Sequence, residues 1–433
     1  MIGFVGLSHL GIIYSVATAA QGLDVLAYDP NAALCEELSQ GRFPVLEPGL
    51  SATFSAHRNR LTFTANAKDL NRCTVVFVSL DVATDAQNQS DLSPLERLIG
   101  EILGNLRPGA AIVLLSQVPP GFTRALGHRL APRFQAAQVG LFYQVETLVF
   151  GNAVERALHP ERFIVGCESP ADPLPAAYRQ WLAAFPCPVL PMRYESAELA
   201  KIAINLFLVS SVTTTNTIAE LSEQLGAEWS EIAPALRLDR RIGPHAYLAP
   251  GLGLAGGNLE RDLVTFRRLA DECGSDAGVV AAWMANSAYR RDWVLRSLHK
   301  AVFAGQPQAR LAIWGLAYKA HTHSTKNSPA LALIDALPHL EKRVYDPQVR
   351  LPSLPPKLTQ ADSALDACAG AHALAILTPW PEFREVDLSE VRRRMAGHVV
   401  VDPFGVRDPA ECATRGFHSF RLGSPAPGGL KES

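Results

Sequence analysis

Two polar side chains with helical spacing point to chemistry on an oxygen atom. Lys201 and Asn205 lie four residues apart in a segment, 196–225, that lacks proline and glycine and repeats apolar residues at helical intervals. Residues i and i+4 of an α-helix project from one face, so an ammonium and an amide can converge on one oxygen there. The ordinary alternative for such a lysine is a solvated surface side chain.

A glycine turn near the N-terminus has the setting of a dinucleotide site. The run Gly6-Leu7-Ser8-His9-Leu10-Gly11 follows a predicted strand, 2–5, and leads into a predicted helix, 12–21. Asp29 stands 18 residues past Gly11, at the end of a predicted strand, 24–28. In the GxGxxG fingerprint this arrangement presents helix N–H groups to a pyrophosphate. Asp29 can accept both ribose hydroxyls and would repel a 2′-phosphate, which favours NAD over NADP.

Ser8 takes the place of the second glycine of that fingerprint. Its Cβ and hydroxyl would crowd a pyrophosphate, although the hydroxyl could also donate a hydrogen bond to it. A βα turn without any ligand is the alternative, because a degenerate fingerprint is a weak signal.

The elements around these residues predict an α/β fold with a helical segment in the middle. Strands separated by helical stretches indicate βαβ units and a parallel sheet. The chain is all helical after residue 196 and then returns to strands and helices, so its two α/β parts resemble each other in layout. Besides the first two, the predicted strands are 74–79, 111–116, 140–143, 163–166, 310–314, 343–345, 373–377 and 399–401. The later predicted helices are 229–236, 259–271, 275–303 and 329–337, and 423–429 is predicted to be a frayed tail.

Composition excludes several classes of protein. A chain of 433 residues predicts two or three domains. Lys plus Arg number 40 against 42 Asp plus Glu, so no net basic field exists for nucleic acid or an anionic membrane. The start of the chain lacks the basic region of a signal peptide, and the apolar stretch 202–212 is too short to span a bilayer. The seven cysteines are odd in number and lack CxxC spacing, which favours reduced thiols over disulfides or a zinc site. We therefore expect a cytoplasmic protein without a metal, a membrane or a nucleic-acid partner.

Several motifs, in one shared order, resemble those of the UDP-glucose/GDP-mannose dehydrogenase family. Any one of them is weak, but their order and spacing over nearly the whole length identify the chain as a member of that family. The matching segments are 47–50 (EPGL), 116–121 (STVPxG, with Gln117 for threonine), 146–166 (EFLxEGxAxxDxxxPxRxxxG), 197–205 (AELxKxxxN), 239–243 (DxRIG), 315–319 (GLAFK) and 378–383 (TxWxEF).

The resemblance implies an architecture and a reaction. It implies an NAD-binding Rossmann domain over residues 1–195, a helical central domain over 196–297 and a C-terminal Rossmann-like domain for the substrate's nucleotide over 298–433. The long helix of the central domain would drive formation of a homodimer. The family reaction is a four-electron oxidation: a sugar alcohol becomes an aldehyde, a cysteine thiolate captures it, a second hydride leaves to NAD, and the thioester hydrolyses to an acid.

The resemblance also implies roles for particular residues. Lys201 and Asp262 would hold a water that takes the alcohol proton, and Lys201 with Asn205 would stabilise the alkoxide, which is commonly worth about 3–4 kcal/mol per donor. Glu146 matches a glutamate that acts near the thioester step. The expected cofactor contacts are Gly6, Ser8, His9, Leu10, Gly11, Asp29, Ser79, Ser116 and Gln117. The expected substrate contacts are Arg241, which is a candidate for a phosphate, Gly253, Lys319 and Lys326.

The decisive departure from the family is at residue 258. The family segment GxGxGGSCFPKD corresponds to residues 251–262, and aligning its last residue with Asp262 puts Asn258 on the cysteine. A conjugated amide nitrogen is no nucleophile, so covalent capture of an aldehyde fails there. Phe150 replaces a second family glutamate, Lys326 replaces an arginine that could bind phosphate in bidentate fashion, and Phe404 replaces the arginine of a DxRN motif.

These departures favour one function and leave others open. The residues for alcohol oxidation persist while those for acyl transfer are missing, which favours a single two-electron oxidation of an alcohol of a nucleotide sugar or nucleotide. A redox-assisted epimerase would use the same residues and return the hydride to the other face of the sugar. A catalytically silent nucleotide-binding homologue and the full four-electron reaction are the remaining alternatives.

Overall fold

The computed structural model describes residues 1–85, 89–255 and 258–426. The chain divides into two compact units, Met1–Ile204 and Asn205–Ser433. Both contain a sheet of short strands, so the α/β class predicted from the sequence is confirmed.

The first unit is built on an eight-stranded sheet. Its order is β3-β2-β1-β4-β5-β6-β7-β8, and the pairs are parallel except for β6 with β7. Strands β1, β2, β4 and β5 are buried at every residue, as expected where helices cover both faces of a parallel sheet. The strands are β1 (Ile2–Val5), β2 (Val25–Tyr28), β3 (Leu61–Thr64), β4 (Val75–Val78), β5 (Ala111–Leu114), β6 (Gly140–Gln144), β7 (Phe163–Cys167) and β8 (Val189–Arg193).

Nine α-helices form in the described residues of this part of the chain, and the last and longest of them, α9, extends into the second unit. They are α1 (His9–Ala20), α2 (Ala32–Ser39), α3 (Leu50–His57), α4 (Ser93–Ile102), α5 (Phe122–Arg129), α6 (Ala131–Ala137), α7 (Ala153–Leu158), α8 (Ala176–Ala183) and α9 (Tyr194–Leu225). Helix α1 begins at His9, three residues before the predicted start, because Ser8 occupies the extended N-cap position.

Helix α9 is the one helix among the described residues that is long and apolar enough to cross a membrane. The apolar stretch 202–212 is thus part of a 32-residue helix, so the length argument against a membrane span does not hold. A core helix of a soluble protein passes the same test of length and composition. Helix α9 carries buried Glu198, Lys201 and Asn205, each of which has a polar partner within the protein.

Between α9 and the second sheet, the described residues form four α-helices. They are α10 (Trp229–Leu238), α11 (Asn258–Cys273), α12 (Gly278–Arg291) and α13 (Trp293–Leu298). Helix was predicted across 275–303, and most of this stretch is helical, divided into α12, α13 and a π-helical turn, His299–Phe303, with Asp292 between the two α-helices. Helix α12 begins only at Gly278, whose N–H donates to the Asp276 side chain.

A parallel six-stranded sheet completes the second unit, in the order β11-β10-β9-β12-β13-β14. Its strands are β9 (Leu311–Trp314), β10 (Lys342–Tyr345), β11 (Leu358–Gln360), β12 (Ala373–Ile376), β13 (Val399–Val401) and β14 (His418–Phe420). Its helices are α14 (Pro329–Ala336), α15 (Ala364–Ala367), α16 (Glu382–Glu385), α17 (Leu388–Arg394) and α18 (Pro409–Thr414).

The segment after β14 is held by the helices of the same unit. The Trp229 N–H donates to the Gly423 carbonyl at 2.8 Å, the Gly423 N–H donates to Glu223 at 2.9 Å, and the Ser424 hydroxyl lies 2.9 Å from a Glu228 oxygen. The prediction of a frayed tail is therefore wrong for Gly423 and Ser424. Its last part, 427–429, lies outside the described residues.

Candidate active site

The predicted cofactor residues meet at one edge of the first sheet. Gly6 follows β1, Asp29 follows β2, Ser79 follows β4 and Ser116 lies just past β5. These strands are neighbours and parallel, so their carboxyl ends share an edge. The strand order reverses between β1 and β4, which is the switch point where open α/β sheets bind ligands.

Two glycines allow the β1–α1 turn to close tightly. Gly6 has φ +86°, a conformation that residues with a side chain rarely adopt. A Cβ on Gly11 would lie 2.2 Å from the Gly6 carbonyl oxygen, so only glycine permits this contact. The turn therefore has the close backbone packing that the dinucleotide fingerprint requires.

The hydroxyls of Ser8 and Ser79 brace this turn from within the protein. Ser8 Oγ donates to the Ser79 carbonyl at 3.0 Å and accepts from the Asp81 N–H at 2.9 Å. Ser79 is fully buried, and its Oγ lies 3.1 Å from the carbonyl oxygens of both Val5 and Gly6. The serine at the second glycine position thus joins the turn to the end of β4.

Asp29 holds the same turn from the side of β2. One carboxylate oxygen accepts from the Leu7 N–H at 2.8 Å and the other from the Asn31 N–H at 2.9 Å. A carboxylate oxygen has two lone pairs, so each can accept one more hydrogen bond, for example from a ribose hydroxyl.

His9 and Phe150, which are distant in sequence, lie together at the start of α1. The His9 Nε2 is 2.8 Å from a carboxylate oxygen of fully buried Glu47, and the Phe150 ring packs on the imidazole with 4.3 Å between centroids. Glu47 also accepts from the N–H groups of Gly151 and Ala153. Burial alone would raise the pKa of Glu47, but these hydrogen bonds outweigh it and place the pKa below its usual range.

Glu198 ties helix α9 to the loop that carries Ser116 and Gln117. Its buried carboxylate accepts from the Gly121 N–H at 2.6 Å and the Thr123 N–H at 2.8 Å, at the start of α5. Burial raises the pKa of this carboxyl, and the hydrogen bonds offset the rise only in part. Ser116 is buried with its hydroxyl 2.6 Å from the Leu80 carbonyl, and Gln117 is half-buried.

Lys201 forms a buried ion pair in the first unit. Its Nζ is 2.9 Å from the Glu146 carboxylate and 3.1 Å from the Glu146 carbonyl oxygen, and both side chains are nearly buried. Glu146 follows β6, so this pair lies past the same sheet edge as the cofactor residues.

Asn205 and Asp262 pair within the second unit. The Asn205 amide donates to the Asp262 carboxylate at 2.6 Å, and both side chains are buried. Arg261, next in sequence, has Nε 3.7 Å from Asp262 and donates to the Asn258 amide oxygen at 3.3 Å. Asn258 is exposed on the first turn of α11, four residues and one helical turn before Asp262.

Among the described residues, the three thiols of the second unit either lie at the far end of α11 or are buried. Cys273 is the last residue of that helix, 15 residues from Asn258 or about 22 Å along the axis. Cys368 and Cys412 are buried, which raises the pKa of these thiols to about 12 and about 11. Neither is poised to form a thiolate, the form that attacks carbonyls.

The β9–α14 loop repeats the design of the N-terminal turn. Gly315, at φ +93°, lies where a Cβ would be 2.4 Å from the Thr378 side chain. Asp346, after β10, accepts from the N–H groups of Leu316 and Ala317 at 2.6 and 3.0 Å, as Asp29 does from Leu7. The Trp380 indole N–H also donates to Asp346, at 3.1 Å. The motifs at 315–319 and 378–383 therefore form one braced turn.

The remaining predicted substrate residues also lie in the second unit. Lys319 and Lys326 are half-buried in the loop between β9 and α14. Gly253, at φ +77°, would clash with the Ser287 carbonyl if it had a Cβ. Arg241 is highly exposed, and its guanidinium forms a two-pronged pair with Asp239 at 2.7 and 3.0 Å.

Comparison with known proteins decides the family. Three models of the UDP-glucose/GDP-mannose dehydrogenase family match in order: the NAD binding domain over residues 1–182, the central domain over 195–287 and the UDP binding domain over 312–409. The chain belongs to the UDP-glucose/GDP-mannose dehydrogenase family.

Individual relatives match along their whole lengths. The UDP-glucose 6-dehydrogenase of Pseudomonas aeruginosa is 29% identical over 449 residues, which cover 99% of this chain and 98% of that protein. A UDP-glucose 6-dehydrogenase of Rhizobium meliloti is 28% identical over 98% of this chain and 99% of its own. The solved UDP-glucose dehydrogenase of Pyrobaculum islandicum has the same fold, with a TM-score of 0.86 at 24% identity and 98% coverage of both chains.

Membership makes this chain an oxidoreductase that acts on CH–OH groups with NAD. The family's NAD-binding part coincides with the Gly6–Gly11 turn, whose glycine packing fits a dinucleotide. The UDP-binding part coincides with the Gly315 turn and the loop of Lys319 and Lys326.

Three residues that hold the loops of the site in place through hydrogen bonds were not predicted from the sequence. Glu47 and Glu198 stand inside motifs that carried the resemblance, yet their partners lie 104 and 77 residues away. Asp346 follows β10 as Asp29 follows β2, but no motif of the resemblance contains it.

Proposed function

We propose that this dehydrogenase performs a single two-electron oxidation, converting an alcohol of a nucleotide sugar to a carbonyl with reduction of one NAD. The observation that carries the proposal is the Asn258 amide on the first turn of α11, where the family motif has its cysteine. An amide cannot capture an aldehyde, and the thiols of the second unit are buried or about 22 Å away along α11.

The retained polar pairs account for the first oxidation. Bound NAD would accept the hydride from the alcohol carbon. The Lys201 ammonium, nearly buried beside Glu146, supplies positive charge for the alkoxide that forms as the proton leaves. The buried Asp262 carboxylate, oriented by the Asn205 amide, is the proposed acceptor of that proton through a water. Loss of a hydride and a proton from CH–OH leaves C=O, so the step needs no nucleophile.

Substrate and cofactor contacts follow the two turns. Gly6–Gly11, Asp29, Ser79, Ser116 and Gln117 are the proposed cofactor site. Lys319 and Lys326 carry the positive charge proposed for the nucleotide's phosphates, with Arg241 as a further candidate. Lysine binds phosphate as a point charge, so this handle is less directional than the arginine of the family motif.

We also propose that α9 joins two copies of the chain. Phe207 is 79% exposed and Leu225 is 71% exposed, although both are large and apolar. With Ile218 and Leu221 they fall within about 60° of one face of the helix, since successive residues turn by about 100°. An apolar stripe of this length in water favours a partner surface. The seven unpaired cysteines support the proposal of a reducing, cytoplasmic location.

The decisive experiment counts NADH. The purified chain is incubated with NAD and candidate nucleotide sugars, starting with UDP-glucose, and NADH is measured by absorbance while the sugar product is identified by mass spectrometry after trapping of carbonyls with hydroxylamine. We expect one NADH per trapped carbonyl product. The matched variants are Asn258→Ala, which should keep this ratio, and Asn258→Cys, which restores the family's thiol and should raise it towards two.

Other outcomes would contradict the proposal in distinct ways. Two NADH per acid formed by the unaltered chain would establish the four-electron reaction. A changed sugar without net NADH would indicate an epimerase. Failure to bind NAD in calorimetry would indicate a silent homologue.

A further inference from the structure

Glu260 is a charged residue whose role the mechanism leaves unassigned. It lies in the first turn of α11, two residues after Asn258, at the position of the proline in the family segment GxGxGGSCFPKD. Its side chain is only 17% exposed. A carboxylate this well buried is costly unless other groups satisfy it, so its partners indicate what it does.

The Glu260 carboxylate joins three segments of the second unit. One oxygen accepts from Arg291 Nη2 at 2.8 Å, and the same nitrogen lies 3.4 Å from the Leu254 carbonyl, in the glycine-rich segment that contains Gly253. The other oxygen accepts from the Asn327 amide, in the loop between β9 and α14. Glu260 thus links α11, the glycine-rich segment and the loop that carries Lys319 and Lys326.

That loop contains two residues with unusual backbone conformations. Asn327 has φ +53° and His321 has φ +61°, both in the left-handed region that non-glycine residues rarely adopt. Such residues persist where surrounding contacts hold them. The Asn327 side chain donates to Glu260, which is one of the contacts that can hold this backbone conformation, and Lys326 is its immediate neighbour.

The charges around Glu260 support the same role. Burial raises the pKa of the Glu260 carboxyl, while Arg291 and Lys326 act in the opposite direction. Lys326 is therefore close enough for its charge to reach this carboxylate. Arg291 and Lys326 carry like charges that both act on Glu260, and the carboxylate offsets the repulsion between them.

We propose that Glu260 is a positioning residue that fixes the loop 318–328 against α11 and so places Lys326 for the substrate's diphosphate. The diphosphate part of this inference rests on the proposed function. The loop-ordering part does not, which makes the two separable.

Two measurements on the full chain test the proposal. Hydrogen–deuterium exchange followed by mass spectrometry reports the order of segment 318–328 with no ligand present. Calorimetry with UDP as the probe reports the phosphate handle, and calorimetry with NAD serves as a check on folding.

Three variants and a control separate the interactions. Glu260→Ala removes both the charge and the acceptor, whereas Glu260→Gln keeps an oxygen that can accept from Asn327. Asn327→Gly removes the amide and tolerates the left-handed backbone. The control is Glu272→Gln on the same helix, where the carboxylate is 55% exposed and pairs with Arg268.

We expect Glu260→Ala and Asn327→Gly to speed exchange of segment 318–328 about tenfold and to weaken UDP binding by a similar factor, the effect of losing one hydrogen bond to a charged group. Glu260→Gln should keep the slow exchange but weaken UDP binding less, and NAD binding should be unchanged in all variants. Exchange of 318–328 that stays at the level of the unaltered chain in Glu260→Ala would overturn the proposal. If the unaltered chain fails to bind UDP, the proposed contact of Lys326 with a UDP diphosphate fails, whereas the exchange data still decide whether Glu260 orders the loop.

Discussion

At the scale of single residues, two buried glutamates show how the surroundings of a carboxyl group determine its pKa. Glu47 accepts from His9 and two backbone N–H groups, and its pKa lies below the usual range. Glu198 accepts from the N–H groups of Gly121 and Thr123, and burial raises its pKa. The two pKa values shift in opposite directions because an imidazole faces Glu47. The contributions of the two residues to stability should therefore depend on pH in opposite ways.

Replacing Glu47 with glutamine should destabilise the chain in a pH-dependent way. Because the folded pKa of Glu47 lies below that of an unfolded glutamate, about 4.3, its stabilisation is fully present above that pH and is lost as the pH falls through the folded value. We expect Glu47→Gln to lower the unfolding free energy by about 2 kcal/mol at pH 7, since hydrogen bonds to a charged group are lost. Urea unfolding at pH 7 and in steps towards acid measures the difference.

The control for this experiment is Glu96→Gln, which removes an exposed partner of Arg129 and should change stability by less than about 1 kcal/mol at any pH. A Glu47→Gln effect of equal size at every pH would mean that packing, and not the ionised carboxylate, stabilises this site.

Asp262 provides a second prediction at this scale. Asp262→Asn keeps the size of the side chain and removes the carboxylate that is proposed to receive the alcohol proton. We expect kcat to fall about 10²- to 10⁴-fold with NAD affinity unchanged, the range for loss of a general base. Steady-state kinetics and NAD calorimetry measure the two quantities, and Glu272→Gln on the same helix should match the unaltered chain. A variant with normal kcat would remove Asp262 from the mechanism.

At the scale of elements, the strands that were predicted from the sequence are more buried than the strands that were not. All ten predicted strands are present within two residues at either end. The four missed strands, β3, β8, β11 and β14, are the edges of the two sheets. Central strands such as VVFV at β4 are buried on both faces and read as continuous apolar runs, whereas β8, with the sequence VLPMR, is partly exposed and contains proline. Edge strands carry no such run, so their pattern resembles that of a loop.

Helix α9 was predictable as a helix, but its partners were not. The absence of proline and glycine predicted its length, and the structure extends it by two residues to Tyr194. The pattern could not tell which apolar residues are exposed, because Val209 is fully buried while Phe207, two residues earlier, is not. That difference arises from tertiary packing and is the basis of the proposed dimer.

Charged substitutions on the exposed face of α9 should separate the proposed dimer. Leu221→Lys combined with Leu225→Lys places two ammonium groups on the stripe, and apposed copies would bring like charges together in an apolar surface. We expect sedimentation velocity to show a shift from dimer to monomer. Leu354→Lys, at an exposed leucine in the C-terminal part, is the matched control and should leave the dimer intact. A dimer that survives the double substitution would exclude this face as the interface.

At the scale of the whole molecule, the same type of strand-to-helix turn, held by an aspartate, occurs twice. Only the first of the two could be predicted in full from the sequence. Gly6 with Asp29 and Gly315 with Asp346 have the same construction, a positive-φ glycine whose following N–H groups donate to an aspartate after the next strand. The first copy has the spacing of a known fingerprint. The second lacks the distal glycine, and the residues that hold it, Thr378 and Trp380, follow β12 and lie 61 and 34 residues from their partners Ala317 and Asp346.

In the candidate site, the individual residues could be predicted from the sequence, but the pairs that they form could not. Lys201, Asn205, Glu146 and Asp262 were named from motifs, but the partners Lys201–Glu146 and Asn205–Asp262 follow from packing across 55 and 57 residues. That Ser8 crowds or binds a pyrophosphate stays a prediction, and the structure adds that its hydroxyl joins two backbone segments, which the spacing did not indicate. Such local hydrogen bonds compete with ligand contacts and have no signature in spacing.

The join between the helices and the C-terminal sheet of the second unit gives the last prediction. Gly423 has φ +76°, and a Cβ there would lie 2.5 Å from the Trp229 Cβ. Gly423→Ala therefore combines an unfavourable backbone conformation with a clash, which together should lower the unfolding free energy by about 2–4 kcal/mol. Gly274→Ala is the matched control, since Gly274 has φ +67° but nothing within 4 Å of the added carbon. It should show only the backbone part, about 1–2 kcal/mol. Urea unfolding measures the stability of both variants. Equal losses of unfolding free energy would mean that the segment after β14 moves to relieve the clash and does not stabilise the packing of the sheet against α10.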